Sequence, residues 1–369
     1  MNIRRFLFAW LLIWLLNQST PHTVCGDVAS PVAEKFEVTK VADGVYTIIR
    51  TETLKQPLDG NTTVMVNDRD VVVVDSTQTL TSARAVIAEI KKLTDKPVRY
   101  LINTHWHNDH QQGNLAYLQT WPGLEIIAHR LTREDITNLG AQVLQNRMRQ
   151  LQNREQAKKT LESGVDAQGQ PLTEASKHRL RERLAMPESH LQELQEIKIT
   201  PPTLTYEHNL TLYRGNREIQ LFCHGPGNTR SDTVVWLPNE KIVMSGDLLV
   251  STVPFMSESR PRGWLARLKE IAALNPVIII PGHGSIQRDR QYLDLHTALL
   301  ESLIAQVDTA IRAGLSLEET RRRVKLDSFR QQYGRGDQFL MNEFDFRVTE
   351  TAIDDAYQEA TAMSQKKNE

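Results

Sequence analysis

Two hydrophobic rhythms alternate along the chain, and their order divides it. Residues 36–38, 44–49, 61–66 and 71–75 read as short strands, the last two forming a hairpin that turns at Asn67, Asp68 and Arg69. Val71, Val72, Val73 and Val74 are apolar on both faces, which predicts a strand buried in the middle of a sheet. Residues 82–93 switch to helical spacing, with Ala83, Val86, Ile87, Ile90 and Leu93 on one stripe. A buried strand at 98–102, a helix at 114–119 and another strand at 124–128 follow.

From 131 to 199 the character changes to Gln, Arg, Glu, Lys and Leu with almost no β-branched residues. Two long helices are predicted there, 139–161 and 172–194, separated by 164–170. This reads as a helical insertion, serving as a lid or a dimer surface, or simply as solvated helices on the flank. Strands resume after Pro201 and Pro202, at 204–206, 210–213, 219–222, 234–237 and 242–244. A helix at 260–274 and a buried strand at 277–280 come next. The remainder is mostly helical, with an amphipathic helix at 293–313 that ends at Gly314 and is expected to pack on the preceding domain.

Composition narrows the class. Hydrophobic residues are 40% and charged residues 24% of 369, which fits a folded chain. The 44 basic and 45 acidic side chains nearly cancel, so no bulk charge points to nucleic acid or an anionic surface. Arg4 and Arg5 precede an apolar run over 6–16, the order of a basic n-region and an h-region. The run is shorter than the ~20 residues that span a bilayer. A secretory signal over residues 1–29 is therefore expected, with an uncleaved membrane anchor as the alternative. Gly26 and Ala29 are both small enough for cleavage, and Val24 before Cys25 fits a lipobox poorly. Export to the periplasm is the expected localisation. The chain has two cysteines, so no disulfide framework follows.

The candidate chemistry sits just after strand 98–102. Three of the eleven histidines, His105, His107 and His110, fall within six residues together with Asp109. Imidazole and carboxylate are the standard zinc ligands, and a catalytic zinc keeps one position for water. Four such groups exceed what one open site needs, whereas two neighbouring metals would use them all. The bland alternative is a solvated polar loop. Three later strand ends deliver Asn228 in Gly227-Asn228-Thr229, Asp247 in Ser245-Gly246-Asp247, and His283 in Pro281-Gly282-His283-Gly284.

The HxHxDH motif behind a strand, followed in order by these three sites, resembles the metallo-β-lactamase superfamily of hydrolases over about residues 38–284. The resemblance implies an α+β fold, a four-layer αβ/βα sandwich with metals at one edge. It implies a domain over 36–284 with the insertion at about 131–199, and a C-terminal helical extension over 285–369 packed on it. Carried over, the first metal would use His105 and His107, and the second Asp109, His110 and His283. Asp247 would bridge the two or complete the second. Asp109 would also be catalytic, orienting the attacking water. One or two zinc ions are expected. Asp75, closing strand 71–75, would support the metal loop from behind or be an ordinary polar strand end.

The departure is Asn228, where the family usually has histidine. An amide oxygen is a weaker and harder ligand than imidazole. The second site is then expected to bind more tightly, with single-metal occupancy realistic and Asn228 a possible ligand. His224, four residues upstream, is a conceivable substitute. His129 lies outside the family's set and reads as structural. Thr229 and Asp232 read as turn residues or as partners that fix histidine tautomers.

The expected activity is that of an exported zinc hydrolase using a metal-bound hydroxide on an ester, lactone, thioester or β-lactam-like small molecule. Asp247 and Asn228 weaken a plain lactamase reading. The alternatives are a mononuclear-iron oxygenase of sulfur compounds with the same fold, and a non-catalytic metal-binding module. No nucleic-acid partner is expected. Membrane contact would come only through an uncleaved N-terminus, and a homo-oligomer is possible.

Overall fold

The computed structural model describes residues 36–51, 59–186 and 188–366. The expected signal segment, 1–29, lies outside them. Twelve strands among the described residues form two sheets. The first runs in spatial order β1 (Phe36–Ala42), β2 (Val45–Arg50), β3 (Thr62–Val66), β4 (Val71–Val74), β5 (Val98–Ile102), β6 (Glu125–His129) and β7 (Leu204–Tyr206). Its β1–β4 part is antiparallel, and β4 to β7 are parallel. The second is ordered β12 (Ile278–Ile280), β11 (Ile242–Met244), β10 (Val234–Leu237), β9 (Arg217–Phe222) and β8 (Asn209–Arg214), with only β11 and β12 parallel.

The period-two alternation of strands sorts the core into layers. Val72 and Val74 of β4 join Ile102, Val235, Leu237, Ile242, Met244, Ile278 and Ile280 in the cluster between the sheets. Their neighbours Val71 and Val73 point the other way, onto Leu80, Val86, Ile87 and Ile90 of α1 (Leu80–Leu93). In the second sheet Val234, Trp236, Val243 and Ile279 face outward onto a helical layer. The consequence is helix, sheet, sheet, helix. The all-apolar strands exist because both of their faces are covered.

On the first sheet's outer face α1 is joined by α2 (Asn108–Gln111) and α3 (Asn114–Thr120). The insertion follows as α4 (Arg130–Asp135), a π-helical turn at Ile136–Gly140, α5 (Ala141–Gln152), α6 (Arg154–Ser163), α7 (Glu174–Ala185) and α8 (Glu188–Glu196). The two long helices expected here are each divided. Asn153 leaves helical geometry (φ −88°, ψ 35°) between α5 and α6. Met186 is extended (φ −63°, ψ 136°) after α7, the conformation a following proline imposes. The insertion builds a small core of its own from Leu144, Leu151, Leu194 and Ile197.

The second sheet is covered by α9 (Pro261–Ala273), α10 (Gln291–Arg312), α11 (Leu317–Arg323), α12 (Asp327–Gly334), α13 (Gln338–Phe344) and α14 (Ala352–Lys366). Trp264, Leu299, Leu303, Phe344 and Ile353 pack with Trp236 and Val243 in one cluster. Among the described residues no helix is long and apolar enough to cross a membrane.

Candidate metal centre

The ends of β4, β5, β11 and β12 meet at one edge of the sandwich. Beyond β5 the chain runs through Asn103 and Thr104 to His105, then turns into α2. His107 sits at the cap of that short helix, and Asp109 and His110 lie in its first turn. Beyond β11 a single 3₁₀ turn, Gly246–Leu248, carries Asp247. Beyond β12 comes His283. Backbone bonds tie these loops together: Gly282 N donates to Gly246 O (2.9 Å), Ser251 N to His283 O (3.0 Å), and Thr233 N to Thr104 O (2.8 Å).

Six of the seven candidate ligands from the sequence converge. His110 Nε2 lies 3.2 Å from His283 Nε2, 3.3 Å from Asp247 Oδ1 and 3.6 Å from Asp109 Oδ2. His283 Nε2 is 2.9 Å from Asp109 Oδ2. His105 Nε2 is 3.0 Å from His107 Nδ1 and 3.7 Å from Asp247 Oδ2. Two triads have ligand atoms close enough to share an ion: Asp109, His110 and His283, and His105, His110 and Asp247. Asp247 faces both halves of the cluster.

Asp75 organises the cluster from behind. Its carboxylate accepts from Thr104 N, Thr104 Oγ1 and His110 Nδ1, each at 2.8 Å. Thr104 Oγ1, already donating to Asp75, accepts from His105 Nδ1 at 3.0 Å. Both rings therefore carry their proton on Nδ1 and present an Nε2 lone pair to the carboxylates. Asp75 adopts a left-handed backbone (φ 62°), which a short polar side chain tolerates.

Lone pairs and anionic oxygens pressed together this closely repel unless a cation lies among them. The ionisation pattern expresses the same demand. Burial alone raises the Asp109 and Asp247 carboxyls, yet His110 and His283 outweigh it and hold both below the usual range. Burial alone lowers His110, but Asp247, Asp109 and Asp75 reverse it, so its pKa is raised; Asp247 and Asp109 do the same for His283. His105 and His107 are lowered, mainly by burial. An ion among them would take the place of the Nε2 protons that the raised His110 and His283 favour, and the resulting set of imidazoles with two ionised carboxylates suits zinc.

Asn228 is almost fully buried, and its Nδ2 donates to Phe255 O at 2.5 Å. That bond fixes the amide, since a flip would set two carbonyl oxygens against each other. Asn228 Oδ1 is left buried with no hydrogen-bond donor. Phe255 in turn packs edge-on against His107, ring centroids 5.8 Å apart. The orphaned acceptor thus lies on the residue that holds Phe255, whose ring in turn packs on His107. His224 is not available as a substitute: it bonds Glu270 and Asn209 and stacks on Phe222. His129 caps α4, accepting from Leu131 N, and its Nε2 meets Glu207 O. Thr229 and Asp232 bond each other within their loop, and burial lifts the Asp232 carboxyl to about 7.

Two neighbours had no sequence signal. Gly60 is buried against His110, and a Cβ there would fall 2.5–2.9 Å from three of its ring atoms. Its N–H donates to Asp109 O (3.1 Å). Asn61 reaches across to Pro281 O and Gly284 O (2.9 and 2.8 Å), clamping the His283 loop.

A family model described as the metallo-beta-lactamase superfamily matches residues 56–283, and the chain belongs to that family. It is 25% identical over 271 residues to a linear primary-alkylsulfatase from a Pseudomonas strain, a match covering 69% of this chain and 48% of the relative. The chain thus spans about half the length of that curated relative. Among solved structures it is similar to a metallo-beta-lactamase from Pontibacter korlensis, with 18% identity, 72% of this chain and 99% of that one covered, and a TM-score of 0.51. This likeness supports the fold. A Pseudomonas aeruginosa metallo-beta-lactamase in a mono-zinc form aligns with 17% identity, 72% of this chain and 95% of that one, and a TM-score of 0.47.

Proposed function

We propose that the protein is a zinc-dependent hydrolase of small esters, with a sulfate monoester as the first substrate to try. The observation that carries this reading is the convergence of His105, His107, Asp109, His110, Asp247 and His283 on one buried edge, with Asp75 fixing two ring tautomers. Zinc bound there supplies Lewis acidity, which lowers the pKa of water toward ~7 and polarises the oxygen of the scissile group. Asp109 and Asp247 divide the remaining work by depth. The Asp109 side chain is 20% exposed against 8% for Asp247, so Asp109 is the carboxylate that can meet and orient incoming water. Asp247, facing both halves, keeps their spacing.

The alkylsulfatase relative supports the sulfate-ester choice. Hydrolysis would convert the ester and one water into an alcohol and hydrogen sulfate. Carboxylic esters, lactones, thioesters and β-lactams are the comparison substrates. Export to the periplasm, directed by residues 1–29, is part of the same proposal.

The test is metal content by elemental analysis on the wild type, His110→Ala and Asn228→His, followed by a substrate screen. About one zinc per chain, lost in His110→Ala and rising toward two in Asn228→His, supports the asymmetric site. Tightly held iron in its place would favour the oxygenase alternative. A zinc-replete protein that binds no metal would reduce the site to a non-catalytic remnant.

A further inference from the structure

The insertion sends one cation to the metal edge. Arg147, on α5, is partly buried, and its Nη2 donates to a neutral acceptor, Gln78 Oε1, at 3.2 Å. Gln78 is anchored in turn: its N–H donates to Asp59 Oδ1 at 2.9 Å. Asp59 precedes Gly60, whose N–H holds Asp109 O. Arg147 is therefore linked to the metal loop through three hydrogen bonds, and it feels the fields of Asp109 and Asp59.

Other arginines around this edge are neutralised. Arg50 pairs with Asp59 at 2.6 Å, and Arg230 pairs with Asp135 and Glu134 at 2.6 and 3.0 Å. Among the described residues Arg147 has no carboxylate at ion-pair distance. A partly desolvated guanidinium without a paired anion is costly. Asp109 relieves that cost only while its charge is unspent, and a metal held by Asp109 takes up that charge. The guanidinium is then left with one neutral partner, Gln78, and with further donors in the planar fork that matches tetrahedral oxyanions and carboxylates.

We propose that Arg147 is the anion-recognition residue of this site: it binds the charged oxygens of a sulfate monoester beside the metals, so the helical insertion sets the substrate class. This rests on the hydrolase reading for its substrate, but the recognition itself is measurable without turnover.

The probe is inorganic sulfate, titrated by calorimetry into metal-loaded wild type, Arg147→Met and Arg147→Lys. Arg147→Met keeps the packing of the stem and removes the charge. The expected result is at least a tenfold weaker sulfate Kd in Arg147→Met, partial recovery in Arg147→Lys, and unchanged metal content. In turnover, Arg147→Met raises KM for p-nitrophenyl sulfate at least tenfold and leaves the neutral p-nitrophenyl acetate unaffected. Equal sulfate binding in wild type and Arg147→Met, or no sulfate binding by the wild type, overturns the proposal. Equal losses on both esters with lost metal would make Arg147 structural and overturn it as well. Arg147-dependent sulfate binding without hydrolysis of either ester leaves recognition standing and sinks the hydrolase reading.

Discussion

At the scale of single residues, the metal centre depends as much on what surrounds the ligands as on the ligands. Asp75 is the clearest case. It holds His110 Nδ1 and both donors of Thr104. Asp75→Asn would replace an acceptor by an amide that presents donors to the ring, undoing the tautomer that points Nε2 at the metal. Zinc affinity is expected to fall about 10–100-fold, as read by competition with a chromophoric chelator, with the circular dichroism spectrum retained. Gly60→Ala acts by shape. Its Cβ would press on His110 from under 3 Å, and a ring fixed by Asp75 and packed against His283 has nowhere to go. The variant should lose metal at the His110 half, while Gly123→Ala, where a Cβ meets open space, should leave metal content at the wild-type level. Full zinc stoichiometry in Gly60→Ala would contradict this packing argument.

At the scale of elements, the insertion is joined to the C-terminal helices by a buried polar contact. His178 of α7 meets Glu343 of α13 at 2.8 Å and packs edge-on against Phe339, ring centroids 5.0 Å apart. Arg347 pairs with the same carboxylate. Removing the imidazole by His178→Ala leaves one Glu343 oxygen short of a partner and opens space against Phe339. A loss of about 1–3 kcal/mol is expected. It should appear first as faster amide exchange across Glu174–Ala185 in hydrogen–deuterium mass spectrometry, with α1 unaffected. Uniform protection in both proteins would mean that α7 is held by other contacts. The same region shows where helical periodicity misleads. The long runs predicted at 139–161 and 172–194 carry the right composition. The break at Met186 is imposed by the proline that follows it, and the one at Asn153 leaves Leu144 and Leu151 of α5 free to pack with Leu194 and Ile197.

At the scale of the whole molecule, the helical layer on the second sheet contributes an acid sensitivity of its own, separate from the metal site. His296 is fully buried beside Trp264 (ring centroids 4.8 Å apart), neither ring nitrogen has a partner, and burial lowers its pKa to about 3. An unfolded histidine titrates near ~6.5. Between those values the unfolded chain binds the proton and the folded one does not, so stability rises with pH. His296 thus destabilises the fold progressively as pH falls from about 6.5 toward 3, and its penalty is absent at neutral pH and above. His296→Phe should narrow the gap in urea midpoint between pH 7 and pH 4.5 relative to wild type. Both proteins are measured metal-free, so that the His110 and His283 contributions cancel. An unchanged gap would mean that His296 is not buried neutral.

Much of the architecture, and the clustering of most candidate ligands, could be read from the sequence, because both rest on local spacing. Val71 to Val74 and the run at Ile278–Ile280 announce buried strands by their apolarity alone. His105, His107, Asp109 and His110 share one loop, and Asp247 and His283 sit at strand ends whose order along the chain is itself a signal. The tertiary structure alone decided which groups hold those ligands in place. Asp75 reaches a histidine 35 residues away and Arg147 an amide 69 residues away, while the Gly60 backbone meets a ring brought in by another strand. It also decided that His224 turns to Glu270 and that Asn228 keeps a free oxygen beside Phe255. A spacing pattern records what one strand or loop must present. The partners that orient it are chosen by packing between elements, which leaves no period in the sequence.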